Sequence, residues 1–161
     1  MPRWVTAWRS DSDSLPVASA IEQRIRAAFG RQRLMTTIGA SLTSVREGEV
    51  QIELPFSDAL TQQHGFIHAG VVTTIVDTAC GFAALTRMPA DAAVLTTEFK
   101  INFMSPAKGE RLCAVGRVVK AGRTLMVCLG EVFAEENGKS KQIALMTTTM
   151  MVVGPQTGLR D

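Results

Sequence analysis

Apolar residues recur along this chain first at helical spacing, then alternately, then around a whole circumference, then alternately again. Val17, Ala20, Ile21, Ile25 and Ala28 stand three or four apart, the spacing of one helix face, with Pro16 to open the segment and Gly30 to close it. From Leu34 the period shortens. Thr36 to Val45 and Gly48 to Leu54 alternate apolar and polar residues, with Arg46-Glu47-Gly48 as the turn of a hairpin. Pro55 ends it, and Ser57 or Asp58 caps a short turn into Gln62. Residues 71 to 86 read as a helix of four to five turns. Val71, Val72, Ile75, Val76, Ala79, Cys80, Phe82, Ala83 and Leu85 cover nearly its whole surface, so it is expected to be buried on most sides. After a break at Met88-Pro89-Ala90 come four strand-like runs: Val94 to Phe103, Arg111 to Lys120, Thr124 to Ala134 and Gln142 to Val153. Their links are short, and Asn137-Gly138 is a favoured hairpin turn.

One helix, two strands, one long buried helix and four strands predict an α+β fold. An antiparallel sheet curls around the long central helix, and a further helix precedes it at the N-terminus. Residues 1–15 read as a flexible arm on which Trp4 and Trp8 are four apart, and residues 16–161 as one domain. No internal repeat or low-complexity tract interrupts it.

A chain of 161 residues builds a proper core as a single domain. Its net charge of +2 is too small to argue for a nucleic-acid partner, but it leaves room for a local basic patch that meets a phosphate-bearing ligand. Cys80, Cys113 and Cys128 all lie in apolar segments, and an odd number without framework spacing points to reduced thiols inside the cell. No run approaches the roughly 20 apolar residues of a membrane span. The N-terminus lacks the apolar core of a signal peptide, so the expected location is the cytoplasm.

Candidate chemistry gathers between residues 62 and 86. Gly65 and Gly70 bracket His64 and His68, as glycines do where backbone turns tightly or approaches a ligand. On the buried helix, Thr73, Asp77 and Gly81 stand four apart with Thr74 and Thr78 beside them, and so share one face. Asp77 is the only charge between His68 and Arg87. It is either a structural acid bonded to a loop or a carboxylate held for chemistry. Its depth in the helix and the lack of a nearby cation favour chemistry. His64 and His68 lack a third ligand, so no metal is expected.

These residues resemble the hotdog-fold acyl-CoA thioesterases, most of all the phenylacetate-pathway (PaaI-type) branch. The likeness is carried by His64-Gly65-Phe66-Ile67-His68-Ala69-Gly70, Val76-Asp77-Thr78-Ala79, Phe103-Met104-Ser105-Pro106-Ala107-Lys108 and Lys120-Ala121-Gly122-Arg123-Thr124, in that order and spacing. It implies a hotdog fold over residues 16–161 and hydrolysis of an acyl-CoA thioester, with coenzyme A as part of the substrate and no cofactor. Asp77 then matches the catalytic carboxylate, base or nucleophile. Ala69 stands where the family has the first glycine of His-Gly-Gly, whose N–H faces the thioester oxygen. Gln62 matches an amide that orients the carbonyl or the water, Thr96 a hydroxyl near that water, and His68 the histidine that holds the loop. Gly70, Arg123, Lys120 and Phe82 are the expected substrate contacts, with Arg123 the first candidate for the coenzyme A phosphates and Phe82 in an acyl tunnel.

Asp77 lies eight residues past Ala69, about 12 Å along one helix, too far for both to reach one carbonyl. Two copies with antiparallel helices bring Asp77 of one to Ala69 of the other, so a homodimer is expected, and the resemblance adds a dimer of dimers, a homotetramer. A non-catalytic acyl-CoA binder and a hotdog enoyl-CoA hydratase or dehydratase are the rival expectations.

Overall fold

The computed structural model describes residues 19–159, so the expected N-terminal arm, Pro16 and Val17 lie outside the described residues. Helix α1 runs Ala20–Arg31, and Ser19 caps it by accepting from the Glu22 N–H at 3.2 Å. Ser19 and Glu22 have the Ser-x-x-Glu spacing of a helix start, a sharper signal than Pro16. The helix does not stop at Gly30. After Gln32 the chain forms a second short helix, α2 (Arg33–Ile38), whose last three residues lie where alternation from Thr36 predicts a strand. Gly39 ends α2 at φ 77°, donating its N–H back to the Met35 and Thr36 carbonyls. A glycine free to take that left-handed conformation outweighs the two β-branched threonines before it.

The remaining order is as expected: β1 (Ser41–Arg46), β2 (Glu49–Pro55), α3 (Ala69–Leu85), β3 (Ala93–Phe103), β4 (Arg111–Ala121), β5 (Leu125–Glu136) and β6 (Lys139–Val153). A 3-10 turn spans Asp58–Leu60, and Asn137 and Gly138 turn the chain between β5 and β6 at φ 51° and 70°. All six strands form one antiparallel sheet in the order β1-β2-β4-β5-β6-β3. This is the hotdog architecture, with the sheet packed around α3.

Two glycines set how closely α3 lies on the sheet. Gly116 on β4 pairs with Gly130 on β5. A methyl on Gly116 would stand 2.4 Å from the Ala79 carbonyl carbon, and one on Gly130 2.4 Å from Val76 Cγ2. Without side chains, the helix sinks onto the strands and buries Ile75, Val76, Ala79 and Cys80 completely. The far end of α3 is held by α1. The Arg24 guanidinium donates to the carbonyls of Leu85 (3.5 Å), Met88 (3.3 Å) and Ala92 (2.6 Å), and so ties the last residue of α3 and the loop after it to α1.

The two sheet edges differ. Edge strand β1 is short and bulged between Leu42 and Ser44. Edge strand β3 has 11 residues, and it exposes Leu95, Phe99 and Phe103 at 45, 46 and 48%. An edge strand of this length leaves a row of backbone groups that a further strand can pair with.

Candidate active site

Most polar groups on α3 are satisfied inside the helix. Thr73 and Thr74 donate their hydroxyls to the carbonyls one turn back, those of Ala69 and Gly70, at 2.9 and 2.8 Å. That leaves Asp77, half-buried on the face turned toward β3. Thr96 Oγ1 donates to Asp77 Oδ1 at 2.9 Å and lies 3.4 Å from Met150 Sδ. A bulge between Thr96 and Glu98 shifts the strand register just past this contact. The extra residue, Thr97, donates its hydroxyl to the Thr149 carbonyl at 2.9 Å. Such bulges re-aim side chains at sites. Burial pushes the Asp77 carboxyl above its ordinary 3.8, and the Thr96 hydrogen bond opposes that with a smaller effect. The carboxylate is thereby a stronger base than one in water.

Asp77 and Thr96 share a half-open cleft with Thr78, Gly81 and Phe82 of α3, Val94 of β3, and Gln32 from the α1–α2 junction. Phe82 is buried, its ring packed against Phe29 at a centroid distance of 6.0 Å. The cavity holds about 120 Å³, well below the roughly 300–1,000 Å³ of ordinary small-molecule pockets.

The loop residues form a second centre, at the start of α3. His68 is the N-cap, and its Nδ1 accepts from the Gly70 N–H at 2.9 Å. That fixes the neutral ring with its proton on Nε2. Val71 and Val72 N–H groups donate to the His68 carbonyl. Ala69 thus keeps the free N–H of this helix start, exposed and without an intrachain partner among the described residues. Gln62 braces the loop rather than the cleft: its Oε1 accepts from the His64 N–H, and its backbone N–H donates to the Phe66 carbonyl at 2.8 Å. His68 N–H donates to the Leu60 carbonyl, and Ile67 N–H to that of Ala107, both at 2.9 Å. The start of α3 therefore sits at the Phe103 end of β3, and Asp77 nearer the other end. Helix and strand run antiparallel.

Lys120 and Arg123 are exposed at the β4–β5 turn. Thr96 pairs with Met150, Met150 with Met126, and Met126 with Ala121, so this turn lies in the sheet row of Thr96. Three strand spacings separate them, about 14 Å. Within one chain, then, Asp77, Thr96 and Phe82 converge, Gln62, His68, Ala69 and Gly70 gather elsewhere, and the basic turn shares a sheet end with the first group.

Sequence reasoning missed Gln32 and Val94, which carry no local motif; only the packing of α1 and β3 beside α3 brings them to Asp77. The cysteines are not alternative nucleophiles. Burial pushes the Cys128 thiol up to about 11 and Cys113 to about 12, and raises Cys80 as well. Among the described residues, no helix is long and apolar enough to cross a membrane.

Comparison with known proteins adds an independent line. The profile of the Thioesterase superfamily matches residues 64–141. Human acyl-coenzyme A thioesterase 13 is 30% identical over 125 residues, covering 76% of this chain and 89% of that protein. Among curated relatives, the matched share of their length runs from 65 to 89%. A solved thioesterase family protein from Silicibacter pomeroyi superposes with a TM-score of 0.82 at 47% identity, over 83% of this chain and 98% of that one. The E. coli PaaI protein from the phenylacetic acid degradation operon, 20% identical, shares the fold at a TM-score of 0.75 over 83% of this chain and 94% of its own.

Proposed function

This chain belongs to the thioesterase superfamily and is a thioester hydrolase, and from that premise we propose an acyl-CoA hydrolase whose sites are each built by two protomers. Asp77 of one protomer supplies the base, and the Ala69 N–H of its partner supplies the oxyanion donor. The observation that carries this is the separation of the free Ala69 N–H from the Asp77–Thr96 pair by two helical turns of one rigid α3. Pairing β3 with β3 of a second copy, antiparallel about a two-fold axis, supports the same arrangement. It places the Phe103 end of one strand, and with it the start of one α3, at the Thr96 end of the other. Leu95, Phe99 and Phe103 lose their exposure in the process, and the small cavity gains a second wall.

Thr96 holds Asp77 Oδ1, which leaves Oδ2 for a water molecule. Oδ2 accepts a proton from that water as its oxygen bonds to the thioester carbon. The carbonyl oxygen becomes negative beside the partner's Ala69 N–H, where the helix dipole also favours the charge. Collapse breaks the carbon–sulfur bond. The proton held by Asp77 then passes to the departing thiolate, giving free acid and thiol. The sheet end that carries Asp77 also carries Lys120 and Arg123, well placed for the phosphates of coenzyme A. Human acyl-coenzyme A thioesterase 13, the relative named above, supports acyl-CoA as the substrate.

Subunit complementation tests the shared site. Ala69→Pro deletes the N–H at the first helical position, where proline fits without disturbing the helix. It should lower kcat by about 10²–10³-fold, and Asp77→Asn by at least as much. Mixed in equal amounts through unfolding and refolding, the two inactive variants should recover about a quarter of wild-type activity, since half the dimers are hybrid and each hybrid holds one intact site. No recovery would place both groups in a single chain and overturn the proposal.

A further inference from the structure

We infer that Glu98 and Lys100 fix the register in which two copies of this chain join. Glu98 of each protomer forms an ion pair with the partner's Lys100, and Phe99 stands on the two-fold axis between the two pairs. This rests on the shared site proposed above, in which β3 meets β3 antiparallel.

Glu98 and Lys100 are the only charged residues of β3. They oppose Thr149 and Thr147 of β6, whereas Thr96, Phe99 and Ile101 oppose the buried Met150, Thr148 and Met146. The two charges therefore share the face turned away from α3, and both are exposed. Within the chain they meet neutral groups. The Thr149 hydroxyl donates to Glu98 Oε1, and Lys100 Nζ donates to Asn102 Oδ1 at 3.0 Å. Among the described residues neither takes part in an ion pair.

The length of α3 selects the register. Ala69 and Asp77 are about 12 Å apart along the helix, which is between three and four steps of about 3.3 Å along a strand. Counted from Thr96 past the bulged Thr97, three steps reach Lys100 and four reach Ile101. Directly opposed residues of antiparallel strands share a face, and only Ile101 shares the α3 face with Thr96. The partner's Ile101 therefore stands opposite Thr96. Phe99 then meets its own copy, and Glu98 meets the partner's Lys100 twice over. Sliding one strand by two residues, the smallest shift that keeps each face, would set Glu98 against the partner's Glu98 or Lys100 against the partner's Lys100. Like charges so placed repel, so both neighbouring registers are disfavoured and the one that completes the site is favoured.

The test pairs Glu98→Lys with Lys100→Glu. The first variant carries two positive charges on β3 and the second two negative ones, so each repels its own copy and attracts the other. Refolded together in equal amounts, with one isotope-labelled and the dimers weighed by native mass spectrometry, they should give about 90% hybrids, the scale of several exposed pairs turned from repulsion to attraction. Random pairing gives about half. The same exchange at the exposed β5–β6 turn, Glu136→Lys with Lys139→Glu, should stay near half. Phe99→Cys reads the axis without any change of charge. Directly opposed Cα atoms lie about 4.5–5.5 Å apart, within disulfide range, so this variant should cross-link to its own copy on mild oxidation and Leu95→Cys should not. Half hybrids, equal enrichment at the β5–β6 turn, or a dimeric Phe99→Cys that fails to cross-link would overturn the register, while subunit complementation would still judge Asp77 and Ala69. A chain that stays monomeric would strike both.

Discussion

Thr96 on β3 donates its hydroxyl to Asp77 on α3 at 2.9 Å, and that bond joins strand to helix at the only carboxylate of the long helix. It is the one side-chain hydrogen bond that the structure gives Asp77 among the described residues. A single neutral donor does not offset the loss of water around a half-buried charge, so burial dominates and the proton is held more tightly than in the unfolded chain.

Asp77→Asn should therefore be inactive yet more stable. The folded state binds this proton more readily than the unfolded state, so stability falls as pH rises from the ordinary 3.8 through the higher folded value. At pH 7 the cost is fully present, and below pH 3.8 it is absent. Melting temperatures of the variant and wild type should differ at pH 7, in favour of Asn, and converge in acid. Equal melting at pH 7 would mean that the carboxylate carries no such strain. Over the same interval kcat/KM should climb with pH, its acidic limb displaced above 3.8.

His68→Ala should cost about 1 kcal/mol of stability through loss of the helix cap. His68→Asn, which can cap, should restore most of it. Denaturant midpoints at matched slope measure both. Hydrolysis should drop for the alanine variant more than its stability loss explains, because the loop that presents Ala69 loses the Nδ1–Gly70 bond.

Arg24→Ala should destabilise by about 2 kcal/mol, the scale of hydrogen bonds to a charged group. It leaves the Leu85, Met88 and Ala92 carbonyls without their guanidinium. Arg24→Lys should recover only part of this, since one ammonium cannot reproduce the spread of the planar fork. Recovery of full stability by lysine would show that charge, not geometry, is what the end of α3 needs.

Gly116→Ala is expected to cost about 1–3 kcal/mol or more by overpacking. The new methyl meets the backbone of Ala79 and Cys80, which cannot swing aside as a side-chain end can. A crystal structure of the variant should show α3 lifted from β4 and the Asp77–Thr96 distance lengthened.

Much of this was legible along the chain because the forces are local or periodic. The burial of α3, the strand alternation and the Asn137-Gly138 turn all follow from neighbouring residues, and so does the isolation of Asp77. The misread residues, 36–38 at the end of α2, show where periodicity gives way: the six residues of α2 are too few to establish a helical period, and a glycine beyond them decided the outcome. Gln62 was expected to orient the carbonyl or the water; within the chain its oxygen accepts from the His64 N–H, in the same loop as Ala69. Thr96 was expected near the attacking water through the resemblance alone, and the structure sets its hydroxyl on Asp77. Gln32 and Arg24 were not expected, since each stands beside residues dozens of positions away, through packing that no local pattern encodes.

The strand order also dictates when this molecule can assemble. Edge strand β3 pairs only with β6, the last strand made, and β6 in turn lies on β5. A chain emerging from the ribosome must hold residues 93–103 unpaired until 139–153 have been synthesised, while β1, β2 and β4 already have partners. Closing this long-range contact is the slow, entropically demanding event of such a topology. Thr96 reaches Asp77 only then, so a chain truncated within its final strand should retain α3 and the four paired strands β1, β2, β4 and β5 but never a poised carboxylate.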